Sequence, residues 1–497
     1  MLYLLLALPI ISGLLCCFTK ARNAELINIL GSLLTGITAI YCCLTPFMTG
    51  TAQKLNSHKI YKILILDELS AILVFIIGVV GTTCCLYGVT YLRQERSHGE
   101  IAEKRVGLFF GLLHFFVATM YLAVLADNLG VMWVAIEGTT IVSALLVAFY
   151  GNKSALEAAW KYLIICTVGI AFAMLGIILT FYAARGVLGS DEISLSWQQL
   201  YLVADQLDPS LMKLAFIFIL VGYGTKAGLF PLHTWLPDAH SQAPSPVSAL
   251  LSGVLLNCAI YAIIRFHLLT TMAVGEGFSG QLLIIFGLMS MVAALPFILV
   301  QKDIKRLLAY SSVEHVGIII LGVGLGGTLG YTGAILHLIN HALGKSVLFL
   351  SAGTLAQRYK SKLIPKIHGI GQWLPVTSAI FMASLLAIGG LPPFGLFFSE
   401  LTIASQGFQV KGALVGFVFL MVIAVVFAGL IYFGGKMYFS DPVTTCPSKR
   451  EGFSVSHVLL LLPLGLLLLQ GIYMPHAIQQ LINQVVKFML LGGMPSV

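Results

Sequence analysis

The sequence predicts an all-α membrane protein with about fourteen transmembrane helices, two of which are broken near mid-span. Composition is the first reason: 58% of the 497 residues are apolar and only 10% are charged, whereas a soluble domain carries about 25% charged residues. The second reason is that the apolar runs are long and uniform. An outer-membrane barrel would instead show alternating segments of about ten residues, and a disordered chain would be far less apolar.

In order along the chain, the apolar runs predict helices at 2–18, 25–48, 66–92, 107–126, 129–149, 158–184, 211–243, 245–270, 281–300, 304–325, 329–356, 374–404, 411–438 and 455–475. Lys20 and Arg22 follow the first run, which is the reverse of a cleaved signal peptide, so this run is expected to remain as a helix. The loops after odd-numbered helices carry most of the Lys and Arg. This bias predicts that those loops face the cytoplasm and that both termini lie outside a bacterial or archaeal inner membrane.

Two of the predicted helices contain a break with the same Gly-Leu-x-Pro core, at Gly228–Pro231 in the seventh helix and Gly390–Pro393 in the twelfth. Because the breaks are five helices apart, the second would be inverted relative to the first, as in transporters built from inverted repeats. The alternative is that Pro and Gly are simply frequent in membrane helices.

Charge and cysteine patterns argue against several kinds of partner. The net charge of +8 is attributed to membrane orientation, because no basic cluster with interleaved aromatic residues indicates a nucleic-acid partner. The nine cysteines form no C-x-x-C pattern and are interpreted as packing residues, so no metal or iron–sulfur site is predicted. No dinucleotide or Walker A motif occurs either. We therefore expect no cofactor in this chain, and a source of energy outside it.

Ionisable residues inside the predicted helices are the candidate functional groups, because a charge at the bilayer centre costs about 2.5–3.5 kcal/mol. They are Glu137, Lys226, His337, His341, Lys345 and Glu400. His337, His341 and Lys345 recur every four residues and therefore share one helix face. Since histidine titrates near neutral pH, the set is typical of a proton path at membrane depth. An ion pair between Glu137 and Lys226 would hold the lysine protonated until the pair is lost.

Each candidate also has a structural interpretation. Glu137 would make a static contact between helices, Lys226 would cap carbonyl groups freed by the break, and the histidine face would serve packing alone. His315, beside Glu314, belongs either to the path or to the surface of the tenth helix.

The segment after the first break adds further possibilities. His233, Asp238 and His240 would line a cytoplasmic entrance or would bond within a turn. Glu157 and Lys161 are four residues apart, which favours a simple intrahelical pair.

Three segments carry a resemblance to a known family: KAGLFPLHTWLPDAHSQAPSPVSA at 226–249, KDIKRLLAYS at 302–311 and HALGKSVLFLSAG at 341–353. They resemble the antiporter-like subunits of respiratory complex I, whose superfamily includes the Mrp sodium/proton antiporters and the membrane arms of energy-converting hydrogenases. The LLNCAIY and SSVEHVG segments look like the hydrogenase-4 component F type. The resemblance implies fourteen helices that form two inverted five-helix repeats.

The resemblance also implies an organisation for the chain. Three N-terminal helices (1–106) precede a first repeat (107–270) and a second repeat (281–438), and a last helix with a tail follows (439–497).

The resemblance assigns the same six ionisable residues to the proton path. Lys305 is a further possible member. Asn257 is a departure, because several members carry a lysine at this place in the eighth helix. Since asparagine cannot ionise, a relay from Lys226 to His341 would need water or Tyr261.

The expected function is proton translocation by one subunit of a redox-driven complex, with other membrane subunits and a peripheral catalytic partner and with no active site in this chain. The alternative is a redox-independent transporter. It would be either an Mrp-type sodium/proton antiporter or the proton-conducting partner of an inorganic-carbon uptake protein. A quinone-reducing catalytic subunit is disfavoured, because the sequence shows no cofactor ligand set.

Overall fold

The computed structural model of the protein describes residues 1–49, 63–189, 195–441 and 450–491. In chain order, its helices are α1 (Leu2–Cys17), α2 (Ala21–Thr49), α3 (Glu68–Ser97), α4 (Lys104–Leu125), α5 (Leu129–Val147), α6 (Lys153–Leu188), α7 (Trp197–Leu202), α8 (Pro209–Ala227), α9 (Trp235–Gln242), α10 (Ser245–Leu250), α11 (Leu256–Val274), α12 (Glu276–Leu299), α13 (Ile304–Leu325), α14 (Gly327–Tyr359), α15 (Ile370–Trp373), α16 (Pro375–Ile388), α17 (Gly395–Lys411), α18 (Ala413–Phe439), α19 (Val455–Ile472) and α20 (His476–Leu490). The all-α fold that the sequence predicts is confirmed.

The helices are of the length and polarity that a membrane requires. Within the described ranges, 12 segments are long and apolar enough to cross a bilayer, and two further apolar helices, α1 and α16, are shorter. Length and composition alone do not decide whether these two also cross, so the number fourteen stays a prediction.

Two helices form the centre of the bundle. The apolar windows of Ser245–Val274 and Gly327–Tyr359 are 100% buried, whereas those of α6 and α12 are 39% buried and that of α18 is 33% buried. Ser245–Val274, the central span, consists of α10, a π-helical stretch at Leu251–Leu255 and α11. Such wide turns are rare and are often found at functional sites.

Both Gly-Leu-x-Pro segments lie between separate helices. The predicted helix at 211–243 is divided into α8 and α9, and that at 374–404 into α16 and α17. Gly228 and Gly390 have φ values of 78° and 73°, a left-handed conformation that favours glycine. A side chain at Gly228 would collide with Leu236, and one at Gly390 would collide with the carboxylate of Glu400. The second glycine therefore makes room for a candidate functional group.

The C-terminal part differs from the expected last helix and tail. α19 ends at Ile472, and a further helix, α20, follows. One face of α20, including Leu481 and Val485, is buried against α3 and α14. Our criterion of uniform apolar runs missed this helix because its apolar residues occupy only one face.

The cysteines have the packing environment that the sequence indicates. None of the eight described cysteines is in a disulfide, and all except Cys17 are buried. The ninth, Cys446, lies outside the described residues.

Candidate functional site

The first cluster of candidate groups surrounds Lys226, at the end of α8. The side chain is only 1% exposed. Its ammonium donates hydrogen bonds to Thr140 Oγ1 and to Tyr162 OH, both at 2.7 Å, and lies 4.8 Å from the centre of the Tyr162 ring. Tyr162 OH in turn lies 2.7 Å from Ser143 Oγ. Lys226 is therefore held by hydroxyl groups of α5 and α6, and the break in α8 places it there.

Glu137 belongs to the same cluster. Its carboxylate accepts hydrogen bonds from Thr167 at 3.0 Å and from Thr140 at 3.3 Å. Thr140 thus accepts from Lys226 and donates to Glu137. The direct ion pair that we considered from the sequence is wrong, because Thr140, one helical turn after Glu137, lies between the two charged groups.

The second cluster lies between α13 and α14. His315 Nδ1 is 2.9 Å from His337 Nε2, and the His315 and His341 rings are 5.3 Å apart. The Lys345 ammonium donates to Leu308 O at 3.0 Å and to Ser311 Oγ. The residues predicted to share one helix face of α14 therefore all face α13.

Two carboxylates complete the second cluster. Glu314 Oε2 lies 3.5 Å from His315 Nε2. The carboxylate of Glu400, on α17, lies against Gly390. One oxygen of Glu400 and one nitrogen each of His315 and His337 are all within 4.8 Å of one another. The structure thus brings His315, which the sequence left open, together with His337 and Glu400.

The second cluster contains polar atoms without a partner in the described part of the chain. They are both ring nitrogens of His341, both amide atoms of Asn340, Glu314 Oε2 and His315 Nε2. Buried polar atoms are nearly always satisfied by protein or by ordered water. This cluster is therefore suited to holding water molecules.

Asn257 lies in the central span between the two clusters. Its amide donates to Gly253 O at 2.8 Å within the same helix, and its Oδ1 has no partner among the described residues. Nearby, Ser252 Oγ and Ser312 Oγ are 2.7 Å apart and join this span to α13. A polar but uncharged stretch thus separates Lys226 from the histidines.

Tyr261 does not connect Lys226 to the histidines. Its hydroxyl donates to Val124 O at 2.9 Å and accepts from Arg265 at 2.8 Å. Arg265 in turn pairs with Asp67 at 2.5 Å. The suggestion that Tyr261 connects Lys226 to His341 is therefore wrong, because its hydroxyl is committed to this separate ion-pair network.

The residues after the first break have three different environments. The ring of His233 packs near Phe230, Phe297 and Tyr310. Asp238 forms ion pairs with Arg306 and Lys161, and Lys161 also pairs with Glu157 at 2.6 Å, as the spacing of these two residues predicts. The ion pairs favour the structural interpretation of Asp238, whereas His233, whose Nδ1 has no partner among the described residues, stays a candidate.

His240 is different. It is fully buried and stacks on Phe349 with ring centres 5.0 Å apart, and both its ring nitrogens lack a partner among the described residues. Its carbonyl group accepts from Ser248, so only the backbone takes part in the turn bonding that the sequence offered as an alternative. Lys305 and Lys345 both act electrostatically on the ring.

A cavity of about 270 Å³ opens beside Lys305, on the side of the bundle where the Lys- and Arg-rich loops lie. Lys305, Lys362 and Glu95 contribute to its lining. The Lys305 ammonium donates to Ala243 O at 2.5 Å. Lys362, in the loop after α14, donates to Ser241 O, and burial lowers the pKa of its ammonium. Ser241, Gln242 and Ala243, which directly follow His240 in the chain, also line this cavity.

Sequence reasoning missed the uncharged members of both clusters. They are Thr140, Tyr162, Ser143, Ser311 and Ser399, and Glu314 was noted only as a neighbour of His315. Helical spacing gives a weak signal for Thr140, which follows Glu137 by three residues. Tyr162 and Ser143 carry no such signal, because their role depends on contacts between helices.

Comparisons with known proteins agree with this architecture. A family described as "NADH:quinone oxidoreductase/Mrp antiporter, TM" matches residues 126–429. The hydrogenase-4 component F homolog of Methylacidiphilum infernorum is 40% identical over 344 residues, which is 69% of this chain and 72% of that protein. Hydrogenase-4 component B of Escherichia coli is 33% identical over 347 residues, 67% of this chain, and the match spans only 49% of that longer protein.

Solved structures share the fold. A chain of the membrane-bound sulfane sulfur reductase, an archaeal respiratory membrane complex, has a TM-score of 0.87 at 24% identity and 99% coverage of both chains. A chain of the Mrp complex from Dietzia has a TM-score of 0.84 at 19% identity, with 98% of this chain and 96% of that chain covered. A chain of respiratory complex I from Thermus thermophilus has a TM-score of 0.79 at 22% identity, with 98% and 100% covered. The protein belongs to the NADH:quinone oxidoreductase/Mrp antiporter family of multi-pass membrane proteins.

Proposed function

We propose that this chain is a proton-translocating subunit of a multisubunit, redox-driven complex in the cytoplasmic membrane. One observation carries the proposal: ionisable side chains at membrane depth form two hydrogen-bonded clusters around the fully buried central helices. Such groups are costly in lipid and mark ion pathways. Two relatives are named as hydrogenase-4 components, and the matching family is described by NADH:quinone oxidoreductase and Mrp antiporter.

In the first cluster, the proton is carried between Lys226 and Glu137 through Thr140. A hydroxyl group donates one hydrogen bond and accepts others, so it passes a proton on without holding a charge. The contacts of 2.7 Å to Lys226 and 3.3 Å to Glu137 place Thr140 in this bridging position.

In the second cluster, the imidazole rings carry the proton. A neutral histidine has one donor and one acceptor nitrogen, and therefore accepts a proton at one side of the ring while it releases one at the other. The 2.9 Å contact between His315 and His337 supports this exchange. His341 and Lys345 continue the path along α14, and Glu400 is its terminal group.

Protons are taken up through the cavity beside Lys305 and pass by His240 to Lys345. Between the clusters, Asn257 cannot carry a charge, and the proton crosses on water held by its unpartnered Oδ1. The proposal includes two inverted repeats, at 107–270 and 281–438, which place one break beside each cluster.

Redox chemistry in a peripheral catalytic partner supplies the energy. Moving one charge against about 100 mV requires about 2.3 kcal/mol. Other membrane subunits connect this chain to that partner. The Lys- and Arg-rich loops, and with them the cavity, face the cytoplasm, and both termini lie outside.

The test is Lys226→Ala in the assembled complex, with Lys213→Ala as the matched control on the exposed side of the same helix. Everted membrane vesicles are energised with NADH or with hydrogen, and acidification is recorded per electron transferred. We expect Lys226→Ala to retain assembly and lose acidification, and Lys213→Ala to retain both. Unchanged pumping in Lys226→Ala would refute the proposal. Acidification that depends on added Na⁺ and not on electron transfer would instead favour the Mrp-type alternative.

A further inference from the structure

We propose that His315, His337 and Glu400 form a binding site for a divalent transition-metal ion, of which Zn²⁺ fits best. The three residues come from three helices, α13, α14 and α17, and none is more than 6% exposed. One donor atom from each lies within 4.8 Å of the other two. The sequence did not indicate this site, because His337 follows His315 by 22 positions and Glu400 follows His337 by 63.

The distances suit a small ion. Zn²⁺ binds imidazole nitrogen at about 2.0–2.1 Å and carboxylate oxygen at about 2.0–2.2 Å, so tetrahedral coordination sets its donors about 3.3–3.5 Å apart. The facing nitrogens of His315 and His337 are 2.9 Å apart. The Glu400 oxygen lies within 4.8 Å of the two nitrogens and would come about 1.4 Å closer by rotation of its flexible side chain. Gly390 leaves space for that carboxylate because it has no Cβ.

The outer atoms of both histidines support metal binding. His337 Nδ1 lies 2.9 Å from Ser399 Oγ, so Nε2, the nitrogen that faces His315, is the one that would bind an ion. When an ion binds Nδ1 of His315, the ring proton moves to Nε2, which lies 3.5 Å from Glu314 Oε2. A metal-binding histidine usually donates its other N–H to a carboxylate or a similar acceptor, and this contact orients the ring. His337 has such a contact with Ser399, and Glu314 Oε2 lies close enough to His315 Nε2 to provide the second once that nitrogen is protonated.

The charges balance. A dication at this depth needs two negative charges nearby, and Glu400 and Glu314 supply them, one in contact with the ion and one through His315. Lys345 is the cation on the same helix face, two turns after His337. Its ammonium is bonded to Leu308 O and Ser311 Oγ, so it does not take either carboxylate.

The donor types select the kind of ion. Two imidazoles and one carboxylate, with a fourth position for water, are the ligands of open zinc sites. Mg²⁺ and Ca²⁺ require oxygen donors almost exclusively, so these ions are excluded. Co²⁺, Ni²⁺ and Cu²⁺ accept the same donors and would compete with Zn²⁺.

An ion in this site would inhibit the chain. It replaces the hydrogen bond between His315 and His337 and occupies the terminal carboxylate at the same time. The second cluster would then be unable to exchange protons. This consequence rests on the proposed function, whereas the binding itself rests only on the geometry of the three side chains.

Binding is measured on the purified full chain in detergent, by equilibrium dialysis with Zn²⁺ and by visible absorption after titration with Co²⁺. We expect one Zn²⁺ more per wild-type chain than per His337→Gln chain, and a tetrahedral Co²⁺ spectrum that His337→Gln abolishes. Ser399→Ala should weaken Zn²⁺ binding by about tenfold or more, since outer contacts contribute that much. The matched control is His267→Gln, a histidine buried in α11 and bonded to Ser279, which should bind Zn²⁺ like the wild type.

Equal Zn²⁺ binding by the wild type and His337→Gln would overturn the site. If His337→Gln elutes as an aggregate in gel filtration, Glu400→Gln provides the same comparison. Vesicle acidification is measured separately with and without Zn²⁺. Binding by the wild type with undiminished acidification would refute the path through the second cluster and leave the metal site standing. If His337→Gln and Glu400→Gln lose acidification but the wild-type chain binds no Zn²⁺, the metal site is refuted and the path through the second cluster stands.

Discussion

The two clusters of ionisable residues differ in how their polar atoms are satisfied. Around Lys226, the charged groups are bonded to hydroxyl groups at defined distances, and Thr140 joins the lysine to Glu137. Around His341, several nitrogen and oxygen atoms have no protein partner in the described part of the chain. The first cluster is thus completed by protein, whereas the second has polar atoms that water would satisfy.

This difference has a physical meaning. A buried network in which every member is bonded by protein is rigid, and the loss of one member leaves the others unsatisfied. A cluster that is completed by water tolerates the loss of a side chain, because water rearranges. Changes in the first cluster should therefore affect both stability and transport, whereas changes in the second should affect mainly transport.

The largest effect is expected for Glu137→Gln. The amide cannot accept a proton, so proton transfer should fall by at least ~100-fold, the usual contribution of a positioned acid or base. Acidification per electron in everted vesicles is the measurement. Glu157→Gln, which removes an exposed carboxylate of α6, should pump normally. Normal pumping by Glu137→Gln would show that the first cluster is not part of the path.

Thr140→Val should lower pumping by about tenfold, because a hydrogen bond to a charged group contributes about 1.5–3 kcal/mol. Thr140→Ser keeps the hydroxyl and is the matched control. The same vesicle assay distinguishes them. If valine and serine behave alike, the proton does not pass through this hydroxyl.

Tyr162→Phe and His341→Leu compare the two clusters directly. Tyr162→Phe leaves Lys226 with one hydroxyl fewer and should destabilise the chain by about 1–3 kcal/mol. His341→Leu removes no bond to protein and should change stability by less than about 1 kcal/mol, although it should reduce pumping. Thermal unfolding of the two purified variants in the same detergent checks the comparison. A larger loss of stability in His341→Leu would contradict it.

The smallest effect is expected for Asn257→Leu. Its Oδ1 binds only water in our proposal, so pumping should fall by about threefold, corresponding to one modest hydrogen bond. Asn257→Asp, which keeps an oxygen at this place, should pump faster than Asn257→Leu. Identical rates in the two variants would place the crossing between the clusters elsewhere.

The sequence predicted the helices well where their apolar character was uniform. The run at 304–325 coincides with α13, since apolar residues recur in every turn of this helix despite its few charged ones. The prediction from apolar runs failed for α20, because its apolar residues lie on one face only. The charged candidates were recognisable because charge in lipid is unusual. The role of the Thr140 hydroxyl and the bond between Tyr261 and Arg265 could not be recognised. Both depend on how helices from distant parts of the chain pack.

The enclosure of α14 has a consequence for how the chain enters the membrane during synthesis. The most apolar 18-residue stretch of α14 has a mean hydropathy of only 1.3, compared with 3.0 for α18. All residues of that stretch of α14 are buried among other helices. A segment that carries Lys345 and two histidines partitions poorly into lipid by itself. We therefore expect the insertion machinery to retain this segment until its neighbours have emerged from the ribosome.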